Sequence, residues 1–323
     1  MTVSHRRLHR WTRHPVFRGL LFWFLPALFL GYFFYQPLFA LFNLVLKGSA
    51  SSGWGFDPGV LNLTRIWRPL SFTIRQAALS TLLTLFLGLP GAWAFTHFIF
   101  PGKKFLETLT TLPFILPTVV VAAGFNALLG PRGWINLGLM SLFNLAAPPI
   151  QFLNTFGAIL VAHVFYNTTI ILRVVSNAWS QQNIRLQHAA QVLGASPWRT
   201  FKEITLPQLK PAIFAGTLLV FLFNFSSFGV VLMLGGPQFA TLEVEIYVQA
   251  LHLLNLPMAS VLSILQLLCT LLITLGHNRV SGLGDRVAAP PARGIIPRKP
   301  TRVIERVVQI GRASCRERVF GYV

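Results

Sequence analysis

Residues 188–207 read HAAQVLGASPWRTFKEITLP and lie inside a polar connection between two apolar runs of the chain. The whole connection, residues 176–210, spans about 35 residues, whereas helices in a bundle are usually joined by about 2–8 residues. Connections much longer than that tend to be functional. We therefore take this connection as the segment that decides both the fold and the function of the chain.

The connection is patterned as two short helices. Its first half repeats side chains at helical spacing, and these are Ile184, Gln187, His188, Gln191 and Val192. Gly194 is expected to end that helix, because glycine readily takes the left-handed conformation found after helix ends. Ser196 and Pro197 are expected to start a second helix, residues 198–205, which ends before Leu206 and Pro207. The pattern predicts helix, hinge and helix.

Outside this connection the composition is that of a membrane protein. Hydrophobic residues make up 54% of the 323 residues and charged residues only 11%, whereas soluble domains carry about 25% charged residues. So few charges cannot cover a surface in contact with water, which excludes a soluble enzyme, a disordered chain and a collagen-like chain. The two cysteines, Cys269 and Cys315, are too few for a disulfide framework.

Six apolar stretches are long enough for helices that cross a bilayer, which takes roughly 20 residues. They are residues 17–46, 71–100, 106–129, 152–175, 211–235 and 257–277. Helices are expected rather than a barrel, because backbone groups in lipid must be bonded internally and no alternating strand pattern is present. The predicted fold class is an all-α polytopic membrane protein with six transmembrane helices. The first stretch is expected to be retained, since it is far longer than the apolar core of a signal peptide.

The basic residues give the chain an orientation. With the N-terminus in the cytoplasm, nineteen Lys and Arg residues of the arms and loops fall on the cytoplasmic side and five on the other, in agreement with the positive-inside rule. We therefore attribute the net charge of +19 to membrane topology, with the lipid bilayer as the partner and no nucleic acid. The expected location is the cell inner membrane.

This topology divides the chain into four segments. Residues 1–16 are expected to form a basic cytoplasmic arm, residues 17–277 the six-helix transmembrane domain, and residues 278–309 a cytoplasmic linker rich in Pro and Arg. Residues 310–323 contain IGRASCRERV, which resembles the translation of a sequencing adapter. We expect this tail, with Cys315, to be non-native and the natural chain to continue past Gln309.

The patterned connection resembles a known motif. The spacing HAA-x3-G-x9-I-x-LP is similar to the EAA loop of ABC-importer permeases, EAA-x3-G-x9-I-x-LP, with His188 in place of the usual Glu. In that family the loop is a coupling helix that docks on a cytoplasmic ATPase subunit, and the permease domain is of the type I fold. The resemblance implies that the coupling residues are His188, Ala189, Ala190, Gly194, Ile204, Leu206 and Pro207.

Further segments resemble permeases for thiamine or ferric iron. They are Leu116-Pro117, Gly133-Trp134, residues 162–167 (AHVFYN), 225–229 (FSSFG), 234–238 (LGGPQ) and 243–250 (EVEIYVQA). The LGGPQ segment favours thiamine. Permeases of this kind are often twelve-span fusions of two halves, so the resemblance implies an N-terminal half.

The resemblance also implies the partners. They are a cytoplasmic ABC ATPase dimer, an extracytoplasmic solute-binding protein and a second permease half, fused or separate. The sequence contains no Gly-x4-Gly-Lys-Ser/Thr phosphate loop, so we expect ATP to be hydrolysed by the partner and no cofactor to be bound by this chain. Gly-x-Ser-x-Gly and His-Glu-x-x-His patterns are also missing, and no enzyme activity is expected.

Polar residues inside the apolar stretches are candidates for a solute pathway, because they are unfavourable in lipid. His163 and Asn167 share a helix face at i, i+4 spacing. The predicted pathway residues are His163, Asn167, Asn126, Asn224, Ser226 and Ser227. The alternative for each is a hydrogen bond between helices, worth about 0.6–2 kcal/mol. A metal site at His163 is not expected, since no Cys, Asp or Glu lies near it in sequence.

The sequence thus predicts the permease subunit of an ABC importer for thiamine or ferric iron. A permease for another small solute, such as spermidine or sulfate, is the alternative within this class. A stand-alone channel and a membrane-embedded enzyme are alternatives from other classes. The patterned 35-residue connection argues against both, since neither needs a cytoplasmic lever.

Overall fold

A computed structural model describes Phe24, residues 26–47 and residues 63–287 of the chain. All regular elements in these ranges are helical and none is a strand, which confirms the all-α prediction. The described residues divide into two compact units. One comprises residues 24–63 as far as they are described, together with Ile246–Leu265, and the other comprises Thr64–Glu245 and residues 266–287.

The helices follow one another with short breaks. Residues 26–30 are helical and lead through a π-helical turn, Gly31–Tyr35, into α1, Gln36–Lys47. The remaining helices are α2 Leu63–His97, α3 Lys103–Ile115, α4 Thr118–Leu129, α5 Trp134–Phe143, α6 Phe156–Ser180, α7 Ile184–Val192, α8 Pro197–Thr200, α9 Leu206–Phe225, α10 Gly229–Leu234, α11 Leu242–Tyr247 and α12 Leu256–Val287. Two further π-helical turns, Phe201–Thr205 and Val248–His252, precede α9 and follow α11.

Four helices in the described part of the chain are long and apolar enough to cross a membrane. They are Leu63–His97, Phe156–Ser180, Pro197–Phe225 and Leu256–Val280. A fifth candidate consists of Lys103–Ile115 with Thr118–Phe143, two pieces bent by 108° as in a broken span or a re-entrant loop. Of the first predicted stretch, 17–46, residues 26–46 are helical and residues 17–23 and 25 lie outside the described residues.

The predicted stretch 106–129 is not a straight helix. Leu116 has extended backbone angles, φ −70° and ψ 141°, and separates α3 from α4. The cause is Pro117, because the proline ring disfavours the helical conformation of the preceding residue. Pro113, one turn earlier, remains inside α3.

The predicted end of a helix before Leu206 and Pro207 is wrong. Residues Pro197–Phe225 form one helix that begins well before the apolar stretch 211–235 and passes through the π-helical turn Phe201–Thr205. In this turn the Leu206 N–H donates to the Phe201 carbonyl, five residues back. Proline disrupts an α-helix by losing its own N–H and by clashing with the carbonyl four residues back. The wider turn just before Pro207 accommodates the ring without ending the helix.

The fifth apolar stretch also ends differently. The helix stops at Phe225, Ser226 takes φ −95° and ψ 43°, and the chain resumes as the short helix α10. At the other end of the sequence, α12 extends to Val287, ten residues into the predicted linker 278–309. The rest of that linker, the predicted arm 1–16 and the predicted tail 310–323 lie outside the described residues.

Three of the long helices, α2, α6 and α9, pack together in the second unit. Their shared core contains Ala92, Ile170, Ile171, Leu172, Val175, Trp179, Leu209 and Val220. Close approach of α2 and α6 depends on two glycines: a Cβ at Gly88 would lie 2.7 Å from Ile171 Cγ2, and one at Gly91 would lie 2.6 Å from Leu172 Cδ2. Small residues commonly serve this purpose between membrane helices.

Candidate functional site

The connection between α6 and α9 begins with the short helix α7, which is capped at both ends. The Asn183 side chain accepts a hydrogen bond from the Arg185 N–H at 3.0 Å, as an N-cap residue does. Gly194, two residues after α7, has φ +89°, a left-handed conformation that favours glycine. The Ser196 hydroxyl then caps α8 by accepting from the Arg199 N–H at 3.3 Å, with Pro197 at the first helical position. Helix, hinge and helix therefore occur where the pattern predicts them.

The connection exposes large apolar side chains. The exposed fractions are 50% for Leu186, 87% for Val192, 88% for Leu193 and 71% for Trp198. The helix α7 itself is not among the helices long and apolar enough to cross a membrane. Clustered apolar exposure of this kind commonly marks a surface that contacts another protein.

Buried and stacked side chains attach the connection to the ends of the spans. The amide of Gln182, which is buried, donates from Nε2 to the Thr205 carbonyl at 2.9 Å and accepts from Gln187 Nε2 at 3.3 Å. Trp179 of α6 stacks on Phe201 of the π-helical turn, with ring centroids 6.2 Å apart. The Gln182 bonds join α7 to the helix that continues into α9, so the connection is fixed at both ends.

The seven predicted coupling residues lie on α7, in the hinge after it and in the long helix Pro197–Phe225. His188 and Ala189 are exposed on α7, Ala190 is half-buried there, and Gly194 is exposed in the hinge. The other three, Ile204, Leu206 and Pro207, belong to the long helix Pro197–Phe225, where Ile204 and Leu206 are half-buried and Pro207 is exposed. The exposed members of the motif are therefore His188, Ala189, Gly194 and Pro207.

His163 of α6 sits at the centre of a buried polar network. Its exposed fraction is 3%. The Nδ1 atom lies 3.2 Å from Ser80 Oγ of α2, and Nε2 lies 2.7 Å from Ser227 Oγ, just beyond α9. A neutral imidazole donates from one nitrogen and accepts at the other, so both hydroxyl contacts are satisfied at once.

Asn224, near the end of α9, forms the second centre of this network. Its Oδ1 accepts from Asn167 Nδ2 at 2.7 Å and its Nδ2 donates to Thr81 Oγ1 at 3.2 Å. Its backbone carbonyl accepts from Gln76 Nε2 at 2.6 Å. All four side chains are buried. Together with the His163 contacts, these bonds connect α2, α6 and α9.

The predicted pathway residues are thus only partly brought together. His163, Asn167, Asn224 and Ser227 share the network, and Ser226, which is half-buried, lies beside it with Gln266 Nε2 3.5 Å from its Oγ. Asn126 is apart from them: it is exposed on α4 and lines a separate open cavity of about 490 Å³.

Sequence reasoning missed the contribution of α2 to the network. Its polar side chains Thr73, Gln76, Ser80 and Thr84 are all buried. They recur at three- and four-residue intervals, which places them on one face of the helix. That spacing within an apolar stretch was the available signal. Sequence reasoning also missed the buried Gln182, for which spacing alone offers no signal.

A carboxyl group lies close to the break after α9 and outside the membrane-spanning segments. Glu243 of α11 is half-buried, and its Oε1 accepts from Gln266 Nε2 at 3.3 Å. Burial raises the pKa of Glu243 above its ordinary value, and the Gln266 hydrogen bond opposes that rise. Burial thus makes the charged form of this carboxyl less favourable than it is in water.

Comparison with known proteins agrees with this architecture. The model of the family described as "Binding-protein-dependent transport system inner membrane component" matches residues 84–281. The matched range contains α7, the long helix Pro197–Phe225, and the His163 and Asn224 centres of the polar network.

Two groups of relatives differ in the solute given in their names. The chain is 28% identical over 256 residues to PhnU of Salmonella paratyphi A, which is named as a permease of a 2-aminoethylphosphonate transport system, with 79% of this chain and 88% of that protein covered. It is 33% identical over 301 residues to the thiamine transport system permease ThiP of Brucella abortus, with 91% of this chain but 52% of that protein covered. The chain therefore spans about half the length of the thiamine permease.

A solved structure shares the fold. A bacterial ABC transporter involved in import of the acidic polysaccharide alginate matches with a TM-score of 0.63 and 21% identity, covering 85% of this chain and all of that one. At this identity the match supports the architecture alone.

Proposed function

Since the chain belongs to the family of binding-protein-dependent transport system inner membrane components, and is thus a permease component of an ABC importer, we propose that thiamine is its solute and that α7 is the element through which a cytoplasmic ATPase drives it. No enzyme activity is proposed for the chain, and ATP would be hydrolysed by the partner.

The observation that carries the coupling role is the apolar surface exposed on α7 and directly after it, in a connection whose two ends are bonded to each other. Val192 and Leu193 are more than four-fifths exposed, and burying one such side chain stabilises a complex by roughly 1.5–3 kcal/mol. Ala189 and Gly194 next to them leave room for a close approach of another backbone. A groove on the ATPase that receives this surface would bury it from water.

The attachment of α7 determines how a movement would be passed on. Gln182 bonds to the π-helical turn Phe201–Thr205 and Trp179 stacks on it. That turn continues into α9. When the ATPase pair closes, α7 and α9 would move as one packed body, in the manner of a rigid-body switch. We place this end of the bundle and the N-terminus on the cytoplasmic side, as the distribution of basic residues predicts.

Thiamine is proposed because the thiamine permease relative has the higher identity, 33%, and covers 91% of this chain. That relative is about twice as long, so a second permease half, fused or separate, is part of the proposal. A solute-binding protein on the outer side completes it. Transport of ferric iron, the other solute of the permeases that the sequence resembles, stays a prediction.

A second candidate solute is 2-aminoethylphosphonate. It is supported by the PhnU relative, whose own length is covered to 88%. The two solutes differ in charge, since thiamine is a cation and the phosphonate group is an anion, so one assay separates them.

Uptake by cells tests the solute. The gene region that encodes this chain is deleted in its host, and uptake of labelled thiamine, 2-aminoethylphosphonate and ferric iron is measured with and without the restored gene. We expect only thiamine uptake to depend on the chain. Dependence of phosphonate uptake alone would establish the second candidate, and unchanged uptake of thiamine would refute the first.

Co-purification tests the coupling surface. Val192→Glu is expected to lower recovery of the ATPase with the permease by at least about tenfold, because a charge replaces buried apolar surface. Gln191→Glu is the matched control, since Gln191 is exposed on the same helix and gains the same charge without losing apolar surface. Equal recovery with both variants would contradict docking through α7.

A further inference from the structure

Two adjoining cavities lie between α2, α3 and α6, away from the polar network. The first has a volume of about 440 Å³ and lies where α2 ends, α3 begins and α6 approaches Ser180. Its lining is mostly polar and includes Thr96, Lys103, Glu107, Thr110, Arg173 and Ser176. This is the end of the bundle from which the chain continues past Ser180 into α7.

Two cations of this cavity have hydrogen-bond donors to spare. Lys103 Nζ donates to the Phe95 and Phe98 carbonyls, and Arg173 Nη2 donates to Thr111 Oγ1 at 3.1 Å. These acceptors are neutral, and within the described ranges neither cation forms an ion pair. An ammonium has three N–H groups and a guanidinium has five, so most of the Arg173 donors and one of the Lys103 donors remain for an anion. Glu107 is the one carboxylate among the lining residues.

The second cavity is apolar and shares one lining residue with the first. It has a volume of about 580 Å³ and is lined mainly by Leu83, Leu87, Leu109, Pro113, Leu160 and Val161. Thr110 lines both cavities, so a polar cavity with two cations and an apolar groove lie next to each other between the same three helices. Leu109 and Val161 are nearly half exposed and leave the groove open to the surroundings of the bundle.

From this juxtaposition we propose that the two cavities together bind an anionic phospholipid, with its phosphate between Lys103 and Arg173 and an acyl chain along the groove. Both halves of the ligand are needed to explain the site. A free phosphate accounts for the cations but not for the groove, and an apolar helix of a partner accounts for the groove but not for the cations. Basic pockets between membrane helices are known to bind acidic lipid head groups. The proposal does not depend on the solute of the importer.

Native mass spectrometry of the purified full chain tests the proposal. The chain is titrated with phosphatidylglycerol and with phosphatidylcholine of the same acyl chains. A Lys or Arg near an anionic lipid contributes about a five-fold gain in affinity, so phosphatidylglycerol is expected to bind on the order of 25-fold more tightly. Lys103→Gln with Arg173→Gln should remove this preference. Equal binding of both lipids by the unchanged protein would overturn the proposal.

Matched variants separate the site from general effects of charge and folding. Lys202→Gln with Lys210→Gln removes two exposed cations outside both cavities and should leave the preference intact. Lys103→Arg with Arg173→Lys keeps both charges and should also retain it, and unchanged binding of phosphatidylcholine by the Gln pair shows that its lost preference does not come from misfolding. A preference that survives in the Gln pair would overturn the assignment to these cations.

The groove has its own test. Val161→Trp fills it and is expected to weaken both lipids together while the ratio between them stays unchanged. Inorganic phosphate is added as a competitor. Displacement of phosphatidylglycerol by phosphate at lipid-like concentrations would show a site for a soluble anion instead. Loss of lipid binding on formation of a dimer of the chain would show that the groove belongs to a protein interface.

Discussion

Replacing Asn224 by Leu tests whether the polar network holds the three helices together. The substitution removes the side-chain bonds to Asn167 at 2.7 Å and to Thr81 at 3.2 Å and keeps the side-chain size nearly the same. The Thr81 hydroxyl retains its bond to the Ala77 carbonyl at 2.6 Å. The Asn167 amide has no such reserve, because its Oδ1 already lacks a partner among the residues that the structure describes and its Nδ2 loses the one it has.

The expected loss follows from these contacts. Two hydrogen bonds between membrane helices contribute about 0.6 kcal/mol each, and a buried amide left without a partner costs about 1–3 kcal/mol. Asn224→Leu should therefore lower the free energy of unfolding by about 2–4 kcal/mol. In the double variant Asn167→Leu with Asn224→Leu the unpaired amide is gone. The double variant should be more stable than the sum of the single losses implies, by at least about 1 kcal/mol.

Steric-trap unfolding of the full chain in bicelles measures these free energies. The control pair combines Asn224→Leu with Thr217→Val, since Thr217 lies on the same helix and its hydroxyl donates to the Ile213 carbonyl of its own helix, at 2.6 Å. The losses of that pair should add. If the losses of Asn167→Leu and Asn224→Leu add as well, the bond between them has no energetic coupling, and the reasoning about the network is refuted.

Three further predictions concern the hinge, the carboxyl group and the anchor of α7. At Gly194, φ is +89° and an added Cβ would meet nothing within 4 Å. Asparagine tolerates this conformation, so Gly194→Asn should keep solute uptake, whereas Gly194→Val should lower it. Equal uptake by the two variants would count against a role for the hinge conformation. At Glu243 the raised pKa means that its contribution to stability is complete at low pH and is lost as pH rises through the folded-state pKa. Glu243→Gln should therefore raise the unfolding temperature at alkaline pH and flatten its pH dependence, whereas a steeper dependence would contradict the sign. Gln182→Leu breaks the bond to the Thr205 carbonyl and should reduce the amount of solute taken up per ATP hydrolysed, while Gln181→Leu at the exposed neighbouring position should not. A normal ratio of uptake to ATP hydrolysis in Gln182→Leu would argue against Gln182 as the anchor of α7.

Hydropathy located the interiors of the spans and misplaced their ends. The apolar stretch 211–235 begins at Pro211, but the helix begins at Pro197, because polar residues after a good N-cap also form helix. The stretch then ends beyond Phe225, since hydropathy does not register the break at Ser226 between two apolar helices. The interruption at Leu116 could have been predicted, because Pro117 acts on the residue before it whatever the surrounding hydropathy.

The polar network was half predictable. Helical spacing places His163 and Asn167 on one face of α6, and this could be deduced from sequence. The partner of His163 on α2, Ser80, is more than 80 residues away in the chain, and the packing around Gly88 brings the two helices close enough for this bond. The hydrogen bond of the buried Gln182 could not be deduced from sequence either, since its acceptor, the Thr205 carbonyl, lies in a helix that was expected to end at that residue.

The continuity of the helix Pro197–Phe225 has a consequence for the proposed mechanism. A helix of this length is about 42 Å long at 1.5 Å per residue, and it has α8 and the π-helical turn at one end and Asn224 at the other. A helix that ended before Leu206 would have needed a flexible joint between the proposed ATPase contact and the bundle. As one body, it carries a displacement at Phe201 directly to the network around Asn224 and to the break at Ser226. There Asn224 bonds to Thr81 of α2 and to Asn167 of α6, so movement of α9 would either carry those two helices along or break these bonds.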